Sequence, residues 1–178
     1  MIALFVSLLH AATLANVTLP DQVNLENTPI YLRGIGLREK YWIDIYVAGL
    51  YIPSHLIDNK ATASDIIRAN VAKRIHTHFI FPHVPKEKMI ETLEENIKNN
   101  PNISSQTIEK IRTTQSWMED YEEGDEIIFD YIPSKGTVIM VKGVQKGIIE
   151  GEDFMQAIFA IYIGENPASE QLKQGLLK

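Results

Sequence analysis

Three features of the chain predict an α+β fold built on a mostly antiparallel sheet. The first is a set of runs with a β-branched and aromatic bias, the longest from Tyr41 to Ile52, where Trp42, Ile43, Ile45, Tyr46, Val47, Leu50 and Tyr51 follow closely on one another. The second is GDEIIFDYIP followed by TVIMVKGVQKGIIE, which reads as three strands joined between Pro133 and Gly136 and at Lys142 and Gly143. Strands joined by such short turns run antiparallel. The third is a change of period, from two in the strands to helical spacing at Met89, Ile90, Leu93 and Ile97, with Lys and Glu on the other face.

Each element can be justified in order. Val17 to Leu25, broken by Pro20 and Asp21, predicts a strand, a turn and a second short strand. Thr28, Pro29 and IYLRGIG lead into the aromatic run. Gly34 and Gly36 read as turn or bulge residues, because a dinucleotide-binding G-x-G-x-x-G would need glycine where Glu39 stands, followed by a helix. Arg38 lies beside the aromatic run, and a cation is costly to bury unpaired, so it belongs at a solvent edge or beside an anion. Pro53 ends the strand, since it cannot donate to a ladder.

TASDIIRAN predicts a short helix capped by Thr62 or Ser64. Val71 to Phe81 alternates as a strand that projects His76 and His78 from one face, a spacing compatible with a metal. No third ligand is fixed, although His83 is close in sequence, and the pair reads as solvent-facing. Pro85 suits the first turn of the helix carrying Met89, which Asn99, Asn100 and Pro101 stop. A second helix from Ser104 is expected to carry Ile108, Ile111, Trp117 or Met118, and Tyr121 on its apolar side before the acidic loop YEEGDE. EDFMQAIFAIYIG is apolar nearly all round and predicts a buried central helix. A last short helix spans Ser169 to Leu177.

Composition narrows the function. At 178 residues the chain is one domain, large enough to bury roughly 70% of its unfolded surface. It has no cysteine, so disulfides, thiolate nucleophiles and cysteine-ligated zinc are excluded. A net charge of −6 without a Lys/Arg cluster argues against nucleic acid. MIALFVSLLHAATLA is read as a signal peptide over residues 1–15, with residues 16–178 as the mature domain and a periplasmic or secreted location. It lacks a basic start, and the other reading is a buried amino-terminal strand or helix in a cytoplasmic protein. The run is too short for the ~20 residues that cross a bilayer, so an integral membrane protein is not expected. No Ser/His/Asp arrangement, paired catalytic carboxylates or phosphate loop is visible, and no cofactor or metal is called for.

The order of GIGLREKYWIDIYVAGLYIP, the helix ending LEENI, GDEIIFDYIPSKGTVIMVKG and GEDFMQAIFAIYIGENPASEQLKQGLL resembles the chalcone isomerase-like superfamily, particularly its bacterial, often secreted members. The resemblance implies an open-faced β-sandwich, a large antiparallel sheet with helices over one face and a ligand cleft between them. It places the family's anion-holding arginine on Arg38, its assisting tyrosine on Tyr51 with Tyr46 as the fallback, and the cleft asparagine on Asn96. Where chalcone isomerases have a catalytic tyrosine and a late Ser or Thr, this chain has Met89 and Met155. Thioethers cannot stabilise a developing oxyanion as hydroxyl donors do, but they line apolar pockets well.

The expectation that follows is a protein binding a small apolar carboxylate, such as a fatty acid, with Arg38 and Tyr51 at the carboxylate end and no catalytic residue assigned. One alternative is an isomerase or intramolecular lyase acting on a small phenolic or enone substrate through Arg38 and Asn96. A second is a structural or partner-binding module whose Arg38 pairs internally with Asp44 or Glu39.

Overall fold

The computed structural model describes residues 11–100 and 102–178. Strands β1 (Ala11–Leu14) and β2 (Val17–Pro20) form a hairpin of their own, followed by β3 (Gln22–Leu25), β4 (Thr28–Lys40) and β5 (Ile43–Ile52). Helices α1 (Ser54–Asp58) and α2 (Ala63–Arg68) lead to β6 (Lys73–Phe79). A two-residue strand, β7 (His83–Val84), precedes α3 (Lys86–Asn99) and α4 (Ser105–Gln115), and pairs with β8 (Tyr121–Glu122). The meander β9 (Glu126–Ile132), β10 (Gly136–Val141) and β11 (Val144–Ile149) then runs into α5 (Glu152–Ile163) and α6 (Glu170–Leu176).

Seven strands form one antiparallel sheet in the order β11-β10-β9-β6-β5-β4-β3. Period-two alternation divides its side chains between two faces. On β5, Tyr46, Ala48, Leu50 and Ile52 join the main core with α5, whose Phe154, Met155, Ile158 and Phe159 are fully buried. Val47 and Tyr51 point the other way, Val47 against Val17 and Leu19 of the β1–β2 hairpin and Tyr51 against Leu25, Ile30 and Ala72. The helices therefore cover one face, as expected, and the amino-terminal hairpin covers part of the other.

Two ties hold the helical layer. Asp153 in the first turn of α5 accepts from Thr107 Oγ1 at 2.7 Å and Lys110 Nζ at 2.6 Å, fastening α4 to α5. At the other end α6 lies backbone to backbone on β4. A Cβ on Gly36 would stand 2.5 Å from the Leu172 carbonyl oxygen, and one on Gly175 2.5 Å from the Gly36 Cα. The glycines of β4 are thus more than turn or bulge residues: a register shift does fall between Leu32 and Gly34, but their shared task is to admit α6.

Other boundaries differ from expectation for local reasons. The aromatic run is not one strand from Tyr41, because Tyr41 and Trp42, with φ of 54° and 63°, form the turn between β4 and β5. Residues 71–81 contract to the strand Lys73–Phe79, and Pro85 is the residue before α3 rather than its first turn. Helix α4 ends at Gln115, so Trp117, Met118 and Tyr121 lie beyond it, Tyr121 on β8 stacked 4.3 Å from Phe79. Helix α1 carries no buried residue and so left no apolar pattern to read. Thr62 caps α2 in a reciprocal box with Asp65, and Pro53 ends β5. Residues 1–10 of the expected signal peptide lie outside the described residues, while Ala11–Leu14 form β1.

Candidate functional site

The β4–β5 ladder sets Arg38 opposite Tyr46, and both face the helices. Helix α3 crosses above them. Only Leu93 of this helix is buried, and Met89, Thr92 and Asn96, three and four positions apart, form one stripe that looks onto the sheet. Helix α5 closes the floor with Ile158, Ile161 and Tyr162.

Three cavities meet along this stripe, and Thr92 borders all of them. The largest, about 400 Å³, is a groove between the β4–β5 hairpin and the start of α3, walled by Ile43, Ile45, Tyr46, Phe81 and Met89. That volume lies in the range of about 300–1,000 Å³ found for small-molecule sites. A second void of about 20 Å³, lined by Tyr46, Met89, Ile158 and Tyr162, is of single-water size. The third, about 90 Å³, is polar and lined by Arg38, Glu95, Asn96, Asn99 and Asn166. Arg38 borders both the apolar groove and the polar compartment.

At that junction the Arg38 guanidinium suits an anion, while Glu95 on the wall of the polar compartment opposes one. Among the described residues no carboxylate lies within 4.0 Å of the Arg38 guanidinium, whose Nη1 donates to the Glu39 carbonyl oxygen at 3.2 Å. The internal pairing with Asp44 or Glu39 is therefore absent; Asp44 faces the other side of the sheet, where it lines a cavity with Val17 and His78. Among the described residues the buried Asn96 Oδ1 has no hydrogen-bond partner, and as an acceptor it is open to a donor rather than to an anion. Burial pushes the Tyr46 hydroxyl well above its ordinary pKa, Tyr162 adds to this, and Arg38 pulls it back. Tyr162, pushed up to about 12 by burial, shares a 3.3 Å hydrogen bond with Thr77. These hydroxyls stay protonated at neutral pH, which makes them hydrogen-bond donors to an anion and poor bases.

The structure brings Arg38, Tyr46, Met89 and Asn96 to one cleft and leaves two other expected residues outside it. Tyr51 is fully buried on the opposite face of the sheet, with its hydroxyl unpartnered among the described residues. Parity explains this: Tyr46 and Tyr51 are an odd number of positions apart on one strand, so they cannot share a face. Met155 is fully buried in α5, one turn before Ile158, and borders none of the three cavities. Thr92 and Tyr162 escaped the sequence reading, although Thr92 lies three residues after Met89 and shares its helical stripe.

His76 Nε2 and His78 Nδ1 both contact Glu126 Oε1, at 2.9 and 3.1 Å, on the outer face. The pair is half-buried around a carboxylate rather than simply facing solvent. Among the described residues no group of three His, Cys, Asp or Glu side chains is arranged to hold a metal ion. None of the described helices is long and apolar enough to cross a membrane.

A seven-stranded sheet roofed on one face by helices, with an arginine that has no acidic partner among the described residues where an apolar groove meets a polar pocket, defines an open-faced sandwich with a cleft beneath its helices. Residues 11–178 match the family model for chalcone isomerase-like proteins, and the chain belongs to that family. Among solved structures it is similar to a fatty-acid binding protein of Arabidopsis thaliana, with a TM-score of 0.74 and 17% identity over 94% of this chain and 96% of that one. At that identity the likeness shows the shared fold. No curated protein matches the sequence.

Proposed function

We propose that this protein binds a small apolar carboxylate, a fatty acid being the type, with the alkyl chain in the groove beside Met89 and Phe81 and the carboxylate on Arg38. The observation that carries this reading is the position of Arg38, a guanidinium without an acidic partner among the described residues, where an apolar groove meets a polar compartment. A planar fork of donors suits a carboxylate, and the bond strengthens as water leaves. Tyr46, neutral and adjacent, supplies a further hydroxyl. That a protein of the same fold is named for fatty-acid binding supports the same chemistry. The protein, purified natively and extracted, is expected to release fatty acids detectable by mass spectrometry and, once stripped, to bind them on titration. An empty extract with no binding on titration would refute the proposal.

A second reading has one observation in its favour. Arg38 and Asn96 share the polar compartment, and Asn96 Oδ1 lacks a partner there. An isomerase acting on a small phenolic or enone substrate would use that pair, and chalcone absorbance should then decay faster than in buffer. Met89 facing the groove supplies no hydroxyl to such a reaction, which is why binding is preferred.

A further inference from the structure

The tip of the β4–β5 hairpin is aromatic and exposed. Trp42 is 91% accessible, Tyr41 78% and Ile43 44%. Neither burial nor backbone preference explains the two aromatics. A two-residue hairpin turn with positive φ at both positions favours Asn-Gly, and bulky residues there are outliers. Backbone strain kept where the side chains bury nothing points to a use for those side chains outside the fold.

The tip is continuous with the groove. Lys40, Tyr41 and Ile43 line it together with Arg38, and Trp42 projects beyond them. The charged and titratable residues lining the groove are Arg38, Lys40, Tyr41, Tyr46, His83 and Lys88, without a carboxylate, on a chain whose net charge is −6. Lys88 is shared with Glu91 at 2.9 Å, and Lys40 Nζ lies 5.8 Å from the Tyr41 ring centre. The mouth of the cleft therefore combines an aromatic tip, an apolar wall and cations in one surface.

We propose that this tip docks on the surface of an anionic bilayer. Trp and Tyr rings favour the headgroup level, where an apolar body and a polar edge are both accommodated, and Lys beside them is drawn to anionic lipid. One hairpin tip gives reversible attachment rather than anchoring. Docked this way, the groove opens toward the bilayer, and an acyl carboxylate can pass between lipid and Arg38 with little exposure to water. Only this transfer route rests on the fatty-acid reading; the attachment itself does not.

The test is sedimentation of the ligand-free protein with vesicles of phosphatidylcholine containing phosphatidylglycerol, read together with tryptophan emission. Wild type is expected to sediment with the vesicles, to be released by salt, and to shift its emission to the blue. Trp117 packs against Gly147 and serves as the internal reference, so the shift should vanish in Trp42→Ser. That variant should bind vesicles roughly tenfold more weakly. Its melting temperature and its affinity for fatty acid in buffer should be unchanged, because Trp42 is exposed and does not line the groove. Failure of wild type to sediment at low salt, or equal sedimentation of Trp42→Ser, overturns the proposal whatever the fatty-acid titration shows. A wild-type dimer that Trp42→Ser dissociates, without vesicle binding, also overturns it and assigns the tip to a second copy of the chain.

Discussion

Arg38 and Tyr46 are partners across the β4–β5 ladder on the face that meets the helices, while Tyr51, farther along the same strand, looks to the opposite side. This divides the tyrosines by role. Arg38→Ala is expected to weaken binding of a long-chain carboxylate by about 10- to 100-fold, the loss of a charge-assisted hydrogen bond, with little change in melting temperature because no ion pair is broken. Tyr51→Phe should leave that affinity unchanged. Its hydroxyl is buried without a partner, so its removal should be neutral or stabilise by up to ~1 kcal/mol. Fluorescence titration and urea melts of both variants test the division, and a Tyr51→Phe that lost ligand would place the site on the wrong face.

The close approach of α6 to β4 is equally open to test. Gly36→Ala sets a methyl group against the Leu172 carbonyl, a backbone atom that cannot swing aside. Destabilisation of about 1–3 kcal/mol is expected in urea unfolding, the usual cost of overpacking. Since Gly36 lies two residues before Arg38 on the same strand, ligand affinity should fall as well. The exposed Gly124, where a Cβ meets nothing within 4 Å, makes a control for glycine replacement in general, apart from the cost of its positive φ.

Much of this architecture was legible because its signals are local. The meander from Glu126 to Ile149 announces itself through β-branched runs and turn residues, and α5 through an apolar surface on every side. The Arg38–Asn96 pairing came from the family resemblance, and the structure sets both residues on one polar compartment. Three features were not legible. The role of Gly36 depends on α6, remote in sequence. The turn at Tyr41 and Trp42 carries none of the usual turn residues, so the aromatic run read as unbroken strand. Tyr51 was placed by the resemblance, and the register shift between Arg38 and Glu39, which sets Tyr46 rather than Ile45 opposite Arg38, leaves no mark in the sequence.

On the outer face, Glu126 sets a pH dependence. The hydrogen bond from His76 is the main cause that draws its carboxyl down to about 2, with His78 contributing, against the opposing effect of burial. Between its ordinary value of 4.5 and about 2, the unfolded chain takes up a proton that the folded chain does not. Stability from this group is complete above 4.5 and drains away as pH falls toward 2. Glu126→Gln should flatten that part of the acid-unfolding curve, read by circular dichroism.

Lys73 works in the opposite part of the pH scale. Its Nζ, fully buried, donates to the carbonyl oxygens of Ile66, Ile67 and Ala69 at the end of α2. Burial pulls its pKa down to about 7, and Glu152 pulls it back in part. Between about 7 and the ordinary 10.5 the unfolded chain holds a proton that the folded chain releases, so stability from this group rises with pH through that window. Urea melts across that range should show the rise in wild type and lose it in Lys73→Met. An identical slope in both would detach the effect from this lysine.

The hairpin tip offers the sharpest opposition between stability and use. Tyr41 and Trp42 occupy left-handed backbone at a cost of roughly 1–2 kcal/mol per residue, and neither is buried in return. Replacing the pair by Asn-Gly, the sequence such a turn prefers, should raise stability by about 1–3 kcal/mol in urea unfolding. If the tip serves the fold alone, sedimentation with vesicles should not change. If it serves attachment, the more stable Tyr41→Asn/Trp42→Gly protein should no longer sediment with phosphatidylglycerol vesicles. A gain in stability coupled to a loss of attachment is the pattern expected where a strained segment is kept for function. A variant that is no more stable than wild type would remove the strain argument, because the aromatics would then fit their turn as well as Asn-Gly does.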